Sequence, residues 1–222
     1  MLAGEPVSDE FRIAAIRPHR RRADRVEIDV GGETFTVAPE YVVRAGLRSG
    51  APLAPQARQA LEAESAVVTA MDRGLLLLSH RARGRTELAR RLTRIGFTAA
   101  AVDAALERLA RLGYLDDAAY ARQLARNRML ASGQSTHRIR SELLRKGIDR
   151  ETADTAIEET LSAEDVDEQA VIERVAEKKI RSLARLDSPT RRRRLYAFLA
   201  RRGFDADDIR RVVERMDEEQ RS

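Results

Sequence analysis

The stretch "RIRSELLRKGIDRETADTAIEETL" (residues 138–161) holds the arrangement on which the reading of the whole chain turns. Ile139 and Leu143, eight and four positions before Gly147, fall on one face of a helix, because residues four apart stack along the helix axis. Gly147 can take the left-handed conformation that ends a helix. Asp149 then stands where an N-cap must satisfy the first free amides of a second helix, whose apolar face carries Ile157. The same sentence is written twice more, as "ELARRLTRIGFTAAAVDAALERL" (87–109) and "RRLYAFLARRGFDADDIRRVVERM" (193–216). Leu88, Ile139 and Leu195 correspond, as do Leu92, Leu143 and Leu199; Phe97, Ile148 and Phe204; and Leu106, Ile157 and Val213. Thr98, Asp149 and Asp205 hold the cap position. The glycines Gly96, Gly147 and Gly203 lie 51 and 56 residues apart, a period that fits no common solenoid.

Each helix–glycine–helix unit is preceded by a further helical segment, roughly 58–81, 117–131 and 165–185. The second of these opens at Asp116 with Asp117, the third at Asp165 with Glu168 in capping-box spacing. Ser188 before Pro189 reads as a cap followed by a first-turn proline. The expectation is an all-α fold of three tandem three-helix repeats, 56–113, 114–162 and 163–222, stacked into an elongated curved array. Residues 17–55 differ. "RVEIDVGGETFTVAP" (25–39) alternates Val26, Ile28 and Val30, turns at Gly31-Gly32 and resumes with Phe35 and Val37, which predicts a short β-hairpin. A lone hairpin is marginal in water, so it is expected to pack on the first helices. Residues 1–16 are expected to be disordered, and the basic cluster "RPHRRRADR" (17–25) follows them.

Charged residues make up 35% of the chain and aromatic residues 4%, which suits thin helical layers better than one thick core. With no cysteine, disulfides, zinc–thiolate sites and thiol nucleophiles are excluded. The longest apolar run, "GLLLLS" (74–79), is far short of the roughly 20 residues a membrane span needs. The start "MLAGEPVSDEF" lacks the basic and apolar regions of a signal peptide. A soluble cytoplasmic protein is expected. The net charge of +5 is carried almost wholly by arginine, with lysine only at Lys146, Lys178 and Lys179. Such a balance suits an anionic partner, although 36 acids against 41 bases also suit solvated helix faces.

In "GYLDDAAYAR" (113–122), Gly113 ends the last helix of the first repeat and Tyr114 leads into the joint. Leu115 and Tyr120 flank the Asp116 cap at the spacing of a hydrophobic staple, which fixes the angle at which a chain enters a helix. Asp117 favours the positive end of the helix dipole. These residues read as a structural joint, with too few carboxylates for a metal loop. His19, His80 and His137 have no ligand spacing. "GLRSG" (46–50) lacks a P-loop lysine, and no Ser/His/Asp grouping suggests a nucleophile. No cofactor, metal or catalytic centre is expected.

Taken whole, "GYLDDAAYARQLARNRMLASGQSTHRIRSELLRKGI" (113–148) resembles the central repeat of the RecX family, bacterial regulators of the RecA recombinase. The family's joint and the segment IR-x-EL-x-x-KGI match Gly113 to Asp117, Tyr120-Ala121, Gly133, Ile139-Arg140, Glu142-Leu143 and Lys146-Gly147-Ile148. "LLSHRARGRTELARRLTRIGF" (77–97) is similar to the family's first repeat, and the likeness spans about 65–216. The arginine-rich N-terminal segment is not carried over from the resemblance, and its role stays open. The resemblance implies a non-enzymatic regulator of homologous recombination, DNA repair and the SOS response. Such a protein lodges in the groove of the RecA–DNA filament and lowers ATP hydrolysis and strand exchange.

The partners it implies are the RecA filament and the single-stranded DNA within it, with the regulator a monomer and no membrane involved. Candidate contact residues are Arg81, Arg83 and Arg85 in the first repeat. In the second they are Arg122, Arg126, Arg138, Arg140, Arg145 and Lys146. Arg122 and Arg126, four apart, share one helix face; Arg138, Glu142 and Arg145 share another. A rival reading is a helical-repeat module that binds DNA directly, favoured by the Arg191–Arg194 run and by "RPHRRR" (17–22). Few aromatics are available for base stacking.

Overall fold

The computed structural model describes residues 11–219. Three strands come first, β1 (Ile13–Pro18), β2 (Val26–Val30) and β3 (Glu33–Val37). Ten helices follow: α1 (Pro39–Arg44), α2 (Pro55–His80), α3 (Arg85–Ile95), α4 (Ala99–Arg111), α5 (Asp117–Arg126), α6 (Thr136–Arg145), α7 (Arg150–Ala163), α8 (Glu168–Arg181), α9 (Ser188–Arg201) and α10 (Ala206–Glu219). A π-helical turn, Asn127–Ala131, continues α5. The chain divides into two compact units, one of residues 1–82 with 88–115, the other of 83–87 with 116–222.

The expected hairpin is present. β2 pairs antiparallel with β3 in the register Val26↔Val37, Ile28↔Phe35, Val30↔Glu33, and Gly31 and Gly32 both take positive φ at the turn. That is the geometry a two-residue hairpin needs. A third strand, β1, corrects the expectation of disorder for residues 13–16; residues 1–10 lie outside the described residues. The register between β1 and β2 shifts between Ile13 and Ala15, so the two isoleucines facing the sheet's neighbours stand three apart instead of two. A bulge of this kind erases the alternation by which a strand is read. Ile13, Ile28, Val30, Val37, Tyr41 of α1 and Leu61 of α2 form the core beneath the sheet.

The arginine-rich segment fastens that core. Arg25, nearly buried, reaches Asp72 of α2 at 2.9 Å, and Arg22 reaches the same carboxylate at 2.7 Å. Arg17 pairs with Asp29 across the strands at 2.8 Å. Further along, Arg108 of α4 grips Glu64 of α2 with both terminal nitrogens, at 2.7 and 2.6 Å. Gly74 lets α2 approach α4, since a Cβ there would stand 2.8 Å from Leu109.

The glycine-centred pattern folds as the sequence implies. Gly96, Gly147 and Gly203 take positive φ. Phe97 N–H donates to the Leu92 carbonyl and Ile148 N–H to that of Leu143, closing the helix ends with a hydrophobic contact at each. Thr98 and Asp149 accept from Ala101 and Thr152 N–H, and Asp205 accepts from Asp207 N–H. Leu88, Leu92, Ile139, Leu143, Leu195 and Leu199 are all buried.

Two expected caps are displaced. Asp167, not Asp165, accepts from Ala170 N–H to start α8. Asp165 sits at φ 48 with Val166 N–H bonded to the Leu161 carbonyl, so it ends α7 in the left-handed position that Gly113 fills after α4. Asp187, not Ser188, caps α9 by accepting from Thr190 N–H; the Ser188 hydroxyl donates to Asp217 instead, at 2.7 Å. The staple is also replaced. Leu115 joins the core of Leu88, Leu106 and Leu109, whereas Tyr120 packs against the core of the second unit.

Candidate functional site

The second unit is knit by bonds that recur from repeat to repeat. The carboxylate of Asp117, first residue of α5, accepts from Arg85 N–H at the start of α3, at 2.8 Å. Glu168, first residue of α8, accepts from Thr136 N–H at the start of α6, at 2.9 Å, and from its hydroxyl at 2.7 Å. Both pairs are 32 residues apart. In the opposite sense the Thr86 hydroxyl donates to the Gly147 carbonyl, and the Ser135 hydroxyl to the Gly203 carbonyl. A Cβ on Gly147 would stand 2.3 Å from Thr86, and one on Gly203 2.8 Å from the Ser135 oxygen. These glycines therefore serve close approach as well as helix termination. In the joint, Asp116 caps α5 through Ala119 N–H, Gly113 has φ 76 and Tyr114 is exposed.

Several of the arginines singled out from the sequence are occupied. Arg122 faces Glu159 of α7 at 3.6 Å, Arg140 pairs with Asp154 of the same helix, and Arg126 meets Glu164, just after its end, at 2.8 Å. Arg83 is buried 3.4 Å from Glu87, and Arg81 donates to the Ala82 carbonyl. Among the described residues Glu142 makes no ion pair with Arg138 or Arg145. It takes a two-pronged bond from Arg128, at 2.8 Å on each prong, and that guanidinium holds its carboxyl below the ordinary carboxylate range. Arg138 and Arg145 are exposed, and with Arg85 and Lys146 they make no ion pair among the described residues. Exposed pairs such as those of Arg122 and Arg126 are worth about 0–1 kcal/mol, so a partner can displace them cheaply. Arg191, from the basic run, is buried against Asp217.

A cation-rich hollow was not legible from the sequence. Arg174, Val175, Lys178 and Lys179 of α8, Phe198 of α9, Arg202 just after it and residues 130–133 at the end of the π-helical turn line a hollow of about 420 Å³. No carboxylate lines it among the described residues, and its four cations make no ion pair with them. The Arg202 guanidinium stacks on the Phe198 ring at 4.0 Å, and the Lys179 ammonium lies 5.3 Å from the same ring. Burial and the neighbouring Arg201 push the Arg202 guanidinium below its usual range. Its Nε is buried without an acceptor, a state that costs about 1–3 kcal/mol. Gly133 makes room, for a Cβ there would meet Val175 at 2.3 Å and stand 3.7 Å from Arg202 Nε. The sequence signal was thin: Arg174, Lys178 and Lys179 lie close together on one helix, but Arg202 is 23 or more residues away.

Among the described residues no cluster of three or more metal-ligating side chains exists, and no helix is long and apolar enough to cross a membrane. Fold and surface together define a helical-repeat protein of three successive three-helix units behind a small sheet, with its basic residues split between internal pairs and an open set. Comparison with known proteins narrows this. Models of the first, second and third three-helix domains of RecX match residues 70–109, 116–157 and 166–213 in that order. Regulatory protein RecX of Pelodictyon phaeoclathratiforme is 36% identical over 144 residues, covering 65% of this chain and 86% of its own. That of Chlorobium phaeobacteroides is 37% identical over 147 residues, 66% of this chain and 93% of its own. A crystal structure of regulatory protein RecX superposes with a TM-score of 0.71 at 22% identity, over 91% of this chain and 98% of that one. RecX from Lactobacillus salivarius gives 0.56 over 68% and 97%. The chain belongs to the RecX family of regulatory proteins.

Proposed function

We propose that this chain binds the filament that RecA forms on single-stranded DNA and opposes its ATP hydrolysis and strand exchange, thereby restraining recombination and the SOS response. It does so as a cytoplasmic monomer, by binding rather than by chemistry of its own. The observation that carries the reading is that all three RecX domains are matched in order, each on one helical trio. A serial repeat protein can engage successive protomers of a filament, and weak contacts held on one chain add through effective concentration. Arg138 and Arg145, both exposed, and the half-buried Lys146 are the first choice for contact, since none of them makes an ion pair among the described residues. Arg122, Arg126 and Arg140 come next, since their ion pairs are partly open to solvent, together with Arg85, which makes none among the described residues. Arg81 and Arg83 complete the candidate set.

The rival is direct binding to DNA without a recombinase, favoured by the exposed Arg192, Arg193 and Arg194. Co-sedimentation separates the two. The chain should pellet with RecA–DNA filaments at a salt concentration where it no longer binds bare oligothymidylate. Direct phosphate binding weakens with salt at a log–log slope near about −0.7 per phosphate on single strands. Equal retention on bare DNA and on filament across the salt series would favour the rival.

A further inference from the structure

The hollow between α8, α9 and the segment 130–133 plays no part in the reading above, and its composition is specific enough to name a ligand class. We infer that it binds the phosphate chain of a nucleoside polyphosphate. Four cations, Arg174, Lys178, Lys179 and Arg202, converge on one concavity with no carboxylate among its lining residues. Like charges crowded in this way repel one another, a cost that a compact, multiply charged anion removes. The volume of about 420 Å³ lies in the size range of small-ligand pockets. It is a hollow for a molecule, not a track for a strand. A phosphodiester chain offers one charge at a time along an extended line, whereas here the cations share a single space.

Leu130, Val175 and Phe198 give the hollow an apolar flank against which the nucleoside can lie. The Arg202 guanidinium is already flattened on Phe198, which fixes its plane, and its buried Nε is a donor in want of an acceptor. That Nε is sealed from the hollow, so phosphate would be met by the outer edge of the guanidinium, whose planar fork suits phosphate geometry. Gly133 is the residue that lets Val175 close against this corner.

The test uses the full-length chain without recombinase or DNA, so its outcome is independent of the filament reading. Calorimetric titrations with ATP, ADP, AMP, pyrophosphate and an oligothymidylate should show one saturable site per chain for ATP. Affinity should fall at least tenfold from ATP to AMP, and pyrophosphate should compete. Lys178→Gln and Arg202→Gln should each weaken ATP at least tenfold, while Arg122→Gln, outside the hollow, should not. Lys178 is exposed, so its variant folds whatever Arg202→Gln does. Absence of saturable heat with ATP, or ATP binding indifferent to Lys178→Gln, overturns the inference. So does oligothymidylate binding that is lost in Lys178→Gln while ATP fails to bind, which would hand the hollow to a nucleic-acid strand.

Discussion

Replacing Glu168 by alanine removes the acceptor for two bonds that tie the start of α6 to the start of α8: the Thr136 amide at 2.9 Å and the Thr136 hydroxyl at 2.7 Å. Hydrogen bonds to an ionised group contribute about 1.5–3 kcal/mol each, and a buried donor left without a partner is the expensive case. Glu168 is only half-buried, so water recovers part of the loss. An acidic first-turn residue adds about 0.3–1 kcal/mol through the α8 dipole. The expected cost is about 2–4 kcal/mol in all. Asp117→Ala, which removes the single equivalent bond to Arg85, should cost about 2 kcal/mol. Denaturant unfolding of the full chain gives the stability, and hydrogen exchange at the Thr136 amide gives the local effect, which survives if unfolding proves to have more than two states. Stability within about 0.5 kcal/mol of the parent, with Thr136 protection unchanged, would refute the claim that these recurring bonds couple one repeat to the next.

Asp165→Gly should stabilise the chain by about 1 kcal/mol in thermal unfolding, because Asp165 holds a left-handed conformation that glycine adopts without strain. Gly133→Ala should destabilise by about 2–4 kcal/mol, adding left-handed strain to a clash with Val175, and Val175→Ala placed with it should recover part of that loss. Acid sensitivity has a traceable source in Glu142, whose carboxyl Arg128 holds below its ordinary 4.5. A carboxylate with a lowered folded pKa stabilises the protein above its unfolded value, and the stabilisation fades as pH falls below about 4.5 through the folded value. Urea midpoints across that range should therefore decline less steeply in Glu142→Gln than in the parent.

How much was legible follows from the range of the interactions. The trios, the glycine ends and the caps at Thr98, Asp149 and Asp205 were readable because each is settled within about one helix turn. Asp165 and Ser188 were misassigned because neighbouring polar residues compete for one cap: Asp165 instead ends α7 in the left-handed conformation, and Asp217 draws Ser188 away. Strand β1 was hidden by a bulge that breaks its alternation. The second role of Asp117 depends on a bond to Arg85 across 32 residues, and the cationic hollow on α9 meeting α8. Neither is a local property. The arginines of "RPHRRRADR" looked available for a partner; Arg22 and Arg25 are in fact committed to Asp72.

The most direct trial of the functional account is a titration of this chain into RecA hydrolysing ATP on single-stranded DNA. Serial repeats engaging several protomers predict that hydrolysis is suppressed well below one chain per recombinase protomer. Suppression that begins only when the chain is abundant enough to coat the DNA would contradict it.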